Sequence, residues 1–323
     1  MSAPKVSVIV TVFRRTDFLR QALQSALDQT YDDLEIIVTD DSCSVAIRSI
    51  AASFGSDKIR YRTQTPTLGV ALNLRAAVEE ARGEYIAVLN DDDVWEPDFL
   101  EKLVPPLEAD RQCVLAFSDH WLVDVAGEIM VARTDSNSRT FGRADLAGGH
   151  VVDLPALVID RNGVPLAMAA VFRADAIDWR RVVHEVGGAY DYWISFLLAA
   201  SGGKAWYVAE RLTRYRIHAA METARRAPDK SEHLVYIYRT LIEFNAFPRH
   251  VAVLRQRLAE AFYVVGKDNF MFDESRTARG CFKRSLGLAF TPRTLAFLCL
   301  SCCPGAVRSK AIARLQPAAV SKR

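Results

Sequence analysis

A short apolar run that ends in four consecutive polar residues constrains the fold of this chain more than any other feature. Residues 85–89 are rich in strand formers, and Asn-Asp-Asp-Asp follows directly at residues 90–93. Pro97 then stands where a helix would begin. Ligands of open α/β sheets bind at the carboxyl ends of the strands. Because neighbouring carboxylates repel one another, residues 90–93 predict a site for a hard cation such as Mg²⁺ or Mn²⁺, although an acidic loop that only caps the next helix would look the same.

The segments before this run alternate between strand-like and helix-like patterns. Residues 5–13, 34–39 and 58–62 read as strands, and apolar residues recur at helical spacing between them. This alternation, over about a hundred residues, predicts a parallel sheet with helices on both faces and right-handed crossovers. Neither the glycine-rich dinucleotide motif nor a P-loop motif occurs, which disfavours both of those nucleotide sites.

Capping residues predict where the helices within the first hundred residues begin and end. Thr16 is a suitable N-cap for the first helix, and a second helix is expected over residues 44–54. A third is expected over residues 69–82, where Gly83 has the position of a C′ residue that ends it. A fourth helix would begin at Pro97.

The rest of the chain divides into a mixed part and a helical part. Strands are predicted over residues 114–118, 121–125, 166–173, 205–208 and 212–217, a helix over 190–200, and a mobile loop or short helix over 135–149. Further helices are predicted over residues 232–246, 250–265, 275–288 and 292–302. We therefore expect an α/β domain over residues 1–220 and an α-helical C-terminal region over residues 221–323.

Charge is unevenly distributed, although the net charge is only +2. Residues 275–323 contain ten Lys or Arg residues and no Asp or Glu, so the rest of the chain carries a net charge of −8. Such a basic segment predicts an anionic partner surface, of a membrane or a nucleic acid, unless it is only a solvated helical face. The apolar run over residues 294–307 is shorter than the ~20 residues that span a bilayer, so it predicts a core helix or an interfacial one.

The six cysteines favour free thiols in a reducing cytoplasm. Two of the three cysteines within residues 299–303 have a two-residue spacing, but no second pair or nearby histidine completes a zinc site. Residues 5–13 read as a strand rather than a secretory signal, so a cytoplasmic location is expected.

Three acidic groups follow strand-like runs: Asp40–Asp41, residues 90–93 and Asp191. Residues 215–218 (Tyr-Arg-Ile-His) add a fourth polar element. In this order and context they resemble the family-2 glycosyltransferases, the inverting enzymes that use sugar nucleotides and have a GT-A fold. The resemblance extends over residues 5–218. It implies a Rossmann-like, mostly parallel sheet flanked by helices.

The resemblance also implies which residues bind the donor nucleotide. Thr11, Phe13 and Asp41 would hold the uridine or thymidine base, with Asp40 beside it. The donor would therefore be a UDP- or dTDP-sugar. Asp41 has an alternative role, because it could simply cap the helix that follows it.

A divalent ion and the diphosphate would occupy the next positions. Asp92 would ligate Mn²⁺ or Mg²⁺, and Asp91 would contact the ribose or the water shell of the metal. His218, which we group with the metal site, and Arg216 would approach the diphosphate from the closing loop. His218 could instead be a buried core histidine.

The proton from the acceptor hydroxyl would pass to Asp191. Two positions depart from the pattern of the family: Asn90 occupies the first position of its D-x-D motif, and Ala189-Tyr190 stands where many members carry Glu-Asp. Glu185 is therefore the alternative base. Asp191 could also be only an acid at a helix N-terminus, which the helix dipole favours.

The residues and the resemblance together predict a metal-dependent inverting glycosyltransferase that acts in polysaccharide or glycoconjugate biosynthesis. Its acceptor would be a hydroxyl group, such as one on a lipid-linked glycan. The helical region would shape the acceptor side, form a homodimer contact, or lie on the inner face of the membrane, and no nucleic acid partner is expected. Alternatives are a non-catalytic sugar-nucleotide-binding protein and a nucleotidyltransferase on a similar sheet.

Overall fold

The structure, a computed structural model, describes residues 3–218 and 228–315. The chain forms two compact units, one over Met1–Arg225 and one over Arg226–Arg323. The predicted division after residue 220 falls outside the described residues, and so do residues 316–323 at the end of the basic segment. The domain boundary between residues 220 and 221 therefore stays a prediction.

Within the described part of the first unit, nine strands form one mixed sheet. They are β1 (Val6–Val12), β2 (Leu34–Asp40), β3 (Ile59–Thr63), β4 (Tyr85–Asn90), β5 (Val94–Trp95), β6 (Cys113–Val123), β7 (Gly149–His150), β8 (Ala170–Arg173) and β9 (Lys204–Arg216). Their order is β3-β2-β1-β4-β8-β6-β9-β5, and β7 pairs with β9. The pairings among β1 to β4 and between β6 and β9 are parallel, and the shorter pairings are antiparallel.

Helices flank this sheet, which confirms the predicted fold class. They are α1 (Leu19–Leu27), α2 (Val45–Ala52), α3 (Val70–Glu79), α4 (Phe99–Ala109), α5 (Val131–Thr140), α6 (Leu154–Arg161), α7 (Leu166–Ala169) and α8 (Tyr190–Ala200). Every residue of β1 and β2 is buried, as expected for central parallel strands that helices cover on both faces. The polar residues that follow these strands therefore lie at the carboxyl edge of a buried sheet.

The second unit is helical in its described residues, as predicted. Its helices are α9 (Pro228–Glu243), α10 (Val251–Met271), α11 (Ser275–Leu288), α12 (Pro292–Cys302) and α13 (Gly305–Leu315). Tyr263, Phe270 and Phe282 form its buried core, and Phe297 packs against them. Among the described residues, no helix combines the length and the hydrophobicity needed to cross a bilayer.

Three predicted helix boundaries are wrong. Helix α1 begins at Leu19, and its N-cap is Phe18 rather than Thr16, because the backbone still turns at Arg14, whose φ is 63°. Helix α4 begins at Phe99, two residues after Pro97. Helix α3 already ends at Glu79, so Gly83 is not its C′ residue.

Gly83 has a different function in the fold, which is close packing of the backbone. A Cβ atom at this position would lie 2.5 Å from the backbone nitrogen of Ser7 in β1. Ser7 Oγ accepts a hydrogen bond of 2.9 Å from the Gly83 N–H. The absence of a side chain therefore lets the segment before β4 pack on β1.

Several predicted strands also differ from the observed ones. Residues 114–118 and 121–125 join into the single strand β6, and residues 205–208 and 212–217 into β9, because bulges let this pair continue past charged residues. The first half of the predicted strand 166–173 is helix α7. A short apolar run does not distinguish a buried strand from a buried helix.

The aromatic residues near the site belong to the core. Trp193 and Phe196 of α8 are buried. Trp95, which is 2% exposed, stacks on Phe99 and donates a hydrogen bond of 2.7 Å to the carbonyl of Met168. Trp95 therefore packs the interior of the first unit.

Candidate functional site

Three carboxylates follow β4 at the carboxyl edge of the sheet. Thr11 of β1 pairs with Asn90 of β4, and the chain then turns through Asp91, Asp92 and Asp93. These three are 3%, 6% and 0% exposed. Charged groups are rarely buried without partners, because desolvation costs several kcal/mol per ion. The surroundings of this acidic turn must therefore compensate its charge.

Arg15 supplies the main compensation for Asp91 and Asp92. Its Nη1 lies 2.8 Å from Oδ2 of Asp92. Its Nη2 contacts Oδ1 of Asp91, and its Nε lies 3.3 Å from Oδ2 of the same residue. The Arg15 side chain is 32% exposed, whereas those of Asp91 and Asp92 are 3% and 9% exposed. One partly exposed guanidinium thus bridges two buried carboxylates.

The acidic turn retains perturbed carboxyl groups despite this cation. Burial raises the pKa of Asp91 to about 6, although the Arg15 charge opposes the shift. Burial and the charge of Asp92 also raise the pKa of Asp93. The Asp93 carboxylate accepts hydrogen bonds from Asn90 Nδ2, at 2.8 Å, and from the Arg216 backbone N–H, at 3.0 Å. Asp93 therefore ties the turn to the end of β9.

The end of β9 brings Arg216 and His218 to the acidic turn. His218 Nε2 lies 2.9 Å from Oδ2 of Asp92, so the two predicted metal-site residues are in contact. Arg216 Nε donates a hydrogen bond of 3.1 Å to the backbone carbonyl of Asp92, and Nη2 donates one of 2.8 Å to Gln21. The Arg216 guanidinium also lies over the ring of Phe18, 4.4 Å from its centroid. Arg216 thereby holds the backbone of the turn in place.

On the other side of β1, the predicted nucleotide residues follow β2. The Asp40 carboxylate accepts hydrogen bonds from the backbone N–H groups of Ser42 and Ser44, at 2.8 and 2.7 Å, and from the Tyr61 hydroxyl. This set of partners gives Asp40 a clear role in fixing the loop after β2. Ser44 is the N-cap of α2.

Asp41 caps a helix, but not the one that follows it in the chain. Its two carboxylate oxygens accept hydrogen bonds of 2.8 Å from the backbone N–H groups of Leu68 and Gly69, at the start of α3. Thr11 is 9% exposed at the same edge, and Phe13 is 46% exposed beneath the Arg14 guanidinium. The exposed ring of Phe13 is therefore open to stacking with a ligand, whereas the Asp41 carboxylate already has protein partners.

The predicted base lies at the start of α8. Asp191 is in the first turn of that helix, and Glu185 is exposed in the 3₁₀ turn before it. The preceding residue, Tyr190, is buried and donates a hydrogen bond of 3.4 Å to Asn90 Oδ1. Burial, followed by the charge of Asp191, raises the pKa of the Tyr190 phenol. Tyr190 therefore connects the start of α8 to the acidic turn.

Tyr190 and Asn90 both belong to the positions that depart from the family pattern, and they are in contact with each other. Acidic residues at both positions would place two carboxylates together inside the protein, where like charges repel strongly. The neutral pair instead forms a chain of hydrogen bonds from Tyr190 through Asn90 to Asp93. The two departures are thus one structural feature.

The donor atoms near Asp92 fit a divalent ion that takes most of its ligands from elsewhere. Among residues 3–218 and 228–315, no group of three or more His, Cys, Asp or Glu side chains could enclose a metal. Asp92 and His218 supply one oxygen and one nitrogen side by side. Mg²⁺ and Mn²⁺ commonly use one or two protein ligands and complete their shell with phosphate oxygens and water. The pair therefore suits an ion that arrives with a diphosphate.

Sequence reasoning missed Arg15, Asp93 and Tyr190 as parts of this site. Arg15 had a usable signal, because it follows β1 within three residues and must therefore lie at the edge where the carboxylates emerge. Asp93 belongs to the predicted acidic run but was given no role of its own. Tyr190 offered no such signal, since its partner Asn90 is distant in the sequence.

A comparison with protein-family models identifies the first unit. The model described as glycosyl transferase family 2 matches residues 7–151, which include β1, β2, β4 and the acidic turn. This segment belongs to glycosyl transferase family 2. An uncharacterized glycosyltransferase of Rickettsia prowazekii is 28% identical to the chain over 226 residues. That alignment covers 68% of this chain and 66% of the relative, just under two thirds of the relative's length.

Solved structures share the fold of this chain over nearly its whole length. The Staphylococcus aureus TarS fragment 1–349 in complex with UDP-GlcNAc has a TM-score of 0.64 at 14% identity, and the match covers 96% of this chain and 88% of that one. The mannosyltransferase PcManGT of Pyrobaculum calidifontis, in complex with GDP-Man and Mn²⁺, has a TM-score of 0.59 at 19% identity, with 98% and 82% covered. These likenesses confirm the GT-A fold.

Proposed function

We propose that this protein is a metal-dependent, inverting glycosyltransferase that moves a sugar from a UDP- or dTDP-sugar to a hydroxyl acceptor. The observation that carries the proposal is the contact between Asp92 and His218 at the carboxyl edge of the sheet. This contact lies in a chain that matches glycosyl transferase family 2, a family that uses nucleotide sugars. The complexes of its structural neighbours with UDP-GlcNAc, and with GDP-Man and Mn²⁺, support a nucleotide-sugar donor.

Asp92 and His218 would hold Mn²⁺ or Mg²⁺ in this proposal. When bound, the ion would neutralise the charge that develops on the departing nucleoside diphosphate. Asp91 would contact the ribose or a water of the ion. Arg216, which fixes the Asp92 carbonyl, would keep the carboxylate aimed at the diphosphate. Thr11, Phe13, Asp40 and Asp41 would form the base-binding side.

Asp191 would accept the proton of the acceptor hydroxyl while that oxygen attacks the anomeric carbon. A positioned base of this kind contributes ~10²–10⁴ in rate. Attack opposite the leaving diphosphate inverts the anomeric configuration. The Tyr190 link between α8 and Asn90 supports this assignment, because it anchors the helix turn that carries Asp191 beside the donor site. Glu185 is the alternative base.

The acceptor is proposed by chemical class only, as a hydroxyl group of a growing polysaccharide or glycoconjugate, such as a lipid-linked glycan. A cytoplasmic location would supply the nucleotide sugar. The helical C-terminal region would shape the acceptor side, form a homodimer contact or touch the membrane surface.

A panel of nucleotide sugars tests the proposal. With Mn²⁺ present, we expect release of the free nucleoside diphosphate from at least one UDP- or dTDP-sugar, and loss of that release when EDTA is added. Binding of UDP or dTDP with no release from any donor, in the presence of candidate acceptors, would instead identify a sugar-nucleotide-binding protein.

A further inference from the structure

Helix α12 exposes an apolar stripe to solvent. Five of its exposed residues follow helical spacing and are uncharged: Pro292, Leu295, Ala296, Cys299 and Cys302. Residues at i, i+3, i+4, i+7 and i+10 cover about a third of a helix circumference. Leu295 is 41% exposed, and Phe290, just before the helix, is 69% exposed. This stripe carries no charged side chain of its own, and the exposed Arg293 lies beside it.

The inward face of α12 combines buried hydroxyl groups with apolar side chains. Thr294 and Ser301 are 0% exposed, and their hydroxyl groups bond locally, to Thr291 and to the Leu298 carbonyl. Phe297, Leu298 and Leu300 pack on the aromatic core of the second unit. These contacts hold α12 on the second unit and leave the stripe with Leu295 and Cys299 exposed.

Cations lie at both ends of the stripe. Arg293 stands at the first turn, where its guanidinium lies 4.5 Å from the centre of the Tyr263 ring and contacts Glu260. At the other end, Arg279 donates a hydrogen bond of 3.0 Å to the Ser301 carbonyl, and Arg308 donates one of 2.9 Å to the Cys303 carbonyl. Residues 275–315 contain eight Lys or Arg residues and no Asp or Glu.

We propose that the outward face of α12 binds the surface of an anionic bilayer. An 11-residue helix is about 16 Å long, too short to span a bilayer but able to lie in the boundary between headgroups and acyl chains. The basic residues around it would contact anionic headgroups. This inference extends the proposed function by placing the enzyme where a lipid-linked acceptor would be, and depends on that function only for the choice of acceptor.

A second copy of the chain is the competing occupant of this face. A twofold contact through α12 would bring two segments of the same sign together, because each carries eight basic residues and no acidic one. Like charges across an interface oppose association. The charge of residues 275–315 thus favours a negatively charged surface over a copy of itself.

Sedimentation with vesicles tests the proposal on the full chain. We expect binding to phosphatidylcholine vesicles that contain about 30% phosphatidylglycerol, little binding to phosphatidylcholine alone, and loss of binding at about 0.5 M salt. The double variant Phe290→Ser/Leu295→Ser should weaken binding at least tenfold, whereas Val152→Ser, an exposed apolar residue of the first unit, should not. A wild-type chain that stays in solution with anionic vesicles, or a double variant that binds as tightly as wild type, would overturn the proposal.

An environment-sensitive label gives a second readout that involves no folding change. Cys299 and Cys43 are both exposed thiols, one on the stripe and one in the first unit. In variants that retain only one of the exposed cysteines, a label on Cys299 should shift its emission to the blue with anionic vesicles, and a label on Cys43 should not. Equal shifts at both positions, or a dimer in sedimentation velocity that Leu295→Ser dissociates, would contradict the proposal. Neither assay contains a sugar donor, so a failure here is distinct from a failure to release nucleotide.

Discussion

Replacing Arg15 with Gln tests whether this guanidinium stands in for the charge of a divalent ion. Arg15 bridges Asp91 and Asp92, and the side chains of both carboxylates are at most 9% exposed. Without the cation, two adjacent buried charges lose their common partner. We expect the variant to be less stable than the wild type in the absence of metal, and Mn²⁺ to restore most of the loss.

The expected loss of stability in Arg15→Gln lies between two limits. Removing one partner of a fully buried ion pair costs about 3–5 kcal/mol, whereas exposed pairs contribute about 0.2–1 kcal/mol. Because the Arg15 side chain is 32% exposed and His218 remains beside Asp92, we expect a loss of about 2–3 kcal/mol. For a unit of this size that loss lowers the Tm by roughly 5–10 °C.

Thermal unfolding with and without Mn²⁺ measures both effects. Arg14→Gln is the matched control, since it removes the same charge from the neighbouring exposed residue. Saturating Mn²⁺ should raise the Tm of Arg15→Gln by several degrees more than those of the wild type and the control, because the ion replaces the lost charge. Equal Tm values for both variants without metal, or an equal effect of Mn²⁺ on all three proteins, would refute this account of Arg15.

Three further predictions concern other parts of the first unit. Asp191→Asn should leave donor binding intact and lower turnover at least ~100-fold; near-normal turnover, with a large loss in Glu185→Gln, would move the base to Glu185. Gly83→Ala should cost about 1–3 kcal/mol in urea unfolding, because its Cβ would lie 2.5 Å from the Ser7 nitrogen; an unchanged midpoint would show that the backbone gives way. Burial lowers the pKa of His120 to about 3, below its unfolded value, so the folded protein binds fewer protons and loses stability as the pH falls below about 6.5. Between pH 7 and pH 5, the free energy of unfolding of His120→Gln should fall by about 2 kcal/mol less than that of the wild type in the same assay. Equal falls in the two proteins would contradict the low pKa of His120.

The sequence was sufficient to predict the first four strands because each is a short run of strand-forming residues next to a helical pattern. Runs such as β1 and β2 leave no exposed position, and the helices between them dictate parallel pairing. The second half of the sheet could not be predicted as well. Strands β6 and β9 continue through bulges near Asp119 and Arg211, where charged residues suggest a loop. Their continuity depends on pairing between distant segments, which no local pattern records.

The site was predictable where one element alone positions a residue. Asp91 and Asp92 had to emerge at the edge of the sheet because β4 ends there, and the family resemblance added His218 as a neighbour. That Arg15 lies at this edge was predictable from its place after β1, but its bridge between Asp91 and Asp92 was not, because it depends on the left-handed turn before it. Similarly, the contact between Tyr190 and Asn90 joins two segments that only the complete fold brings together.

Calorimetric titration of the protein with UDP and dTDP tests the central claim most directly, which is that Asp92 helps to hold a divalent ion together with the donor diphosphate. Asp98→Ala is a suitable control, because it removes a nearby carboxylate whose partner is Lys102. We predict that one of the two nucleotides binds the wild type and Asp98→Ala only when Mn²⁺ is present, and that Asp92→Ala abolishes this metal-dependent binding. An affinity in Mn²⁺ that is unchanged in Asp92→Ala would contradict the account.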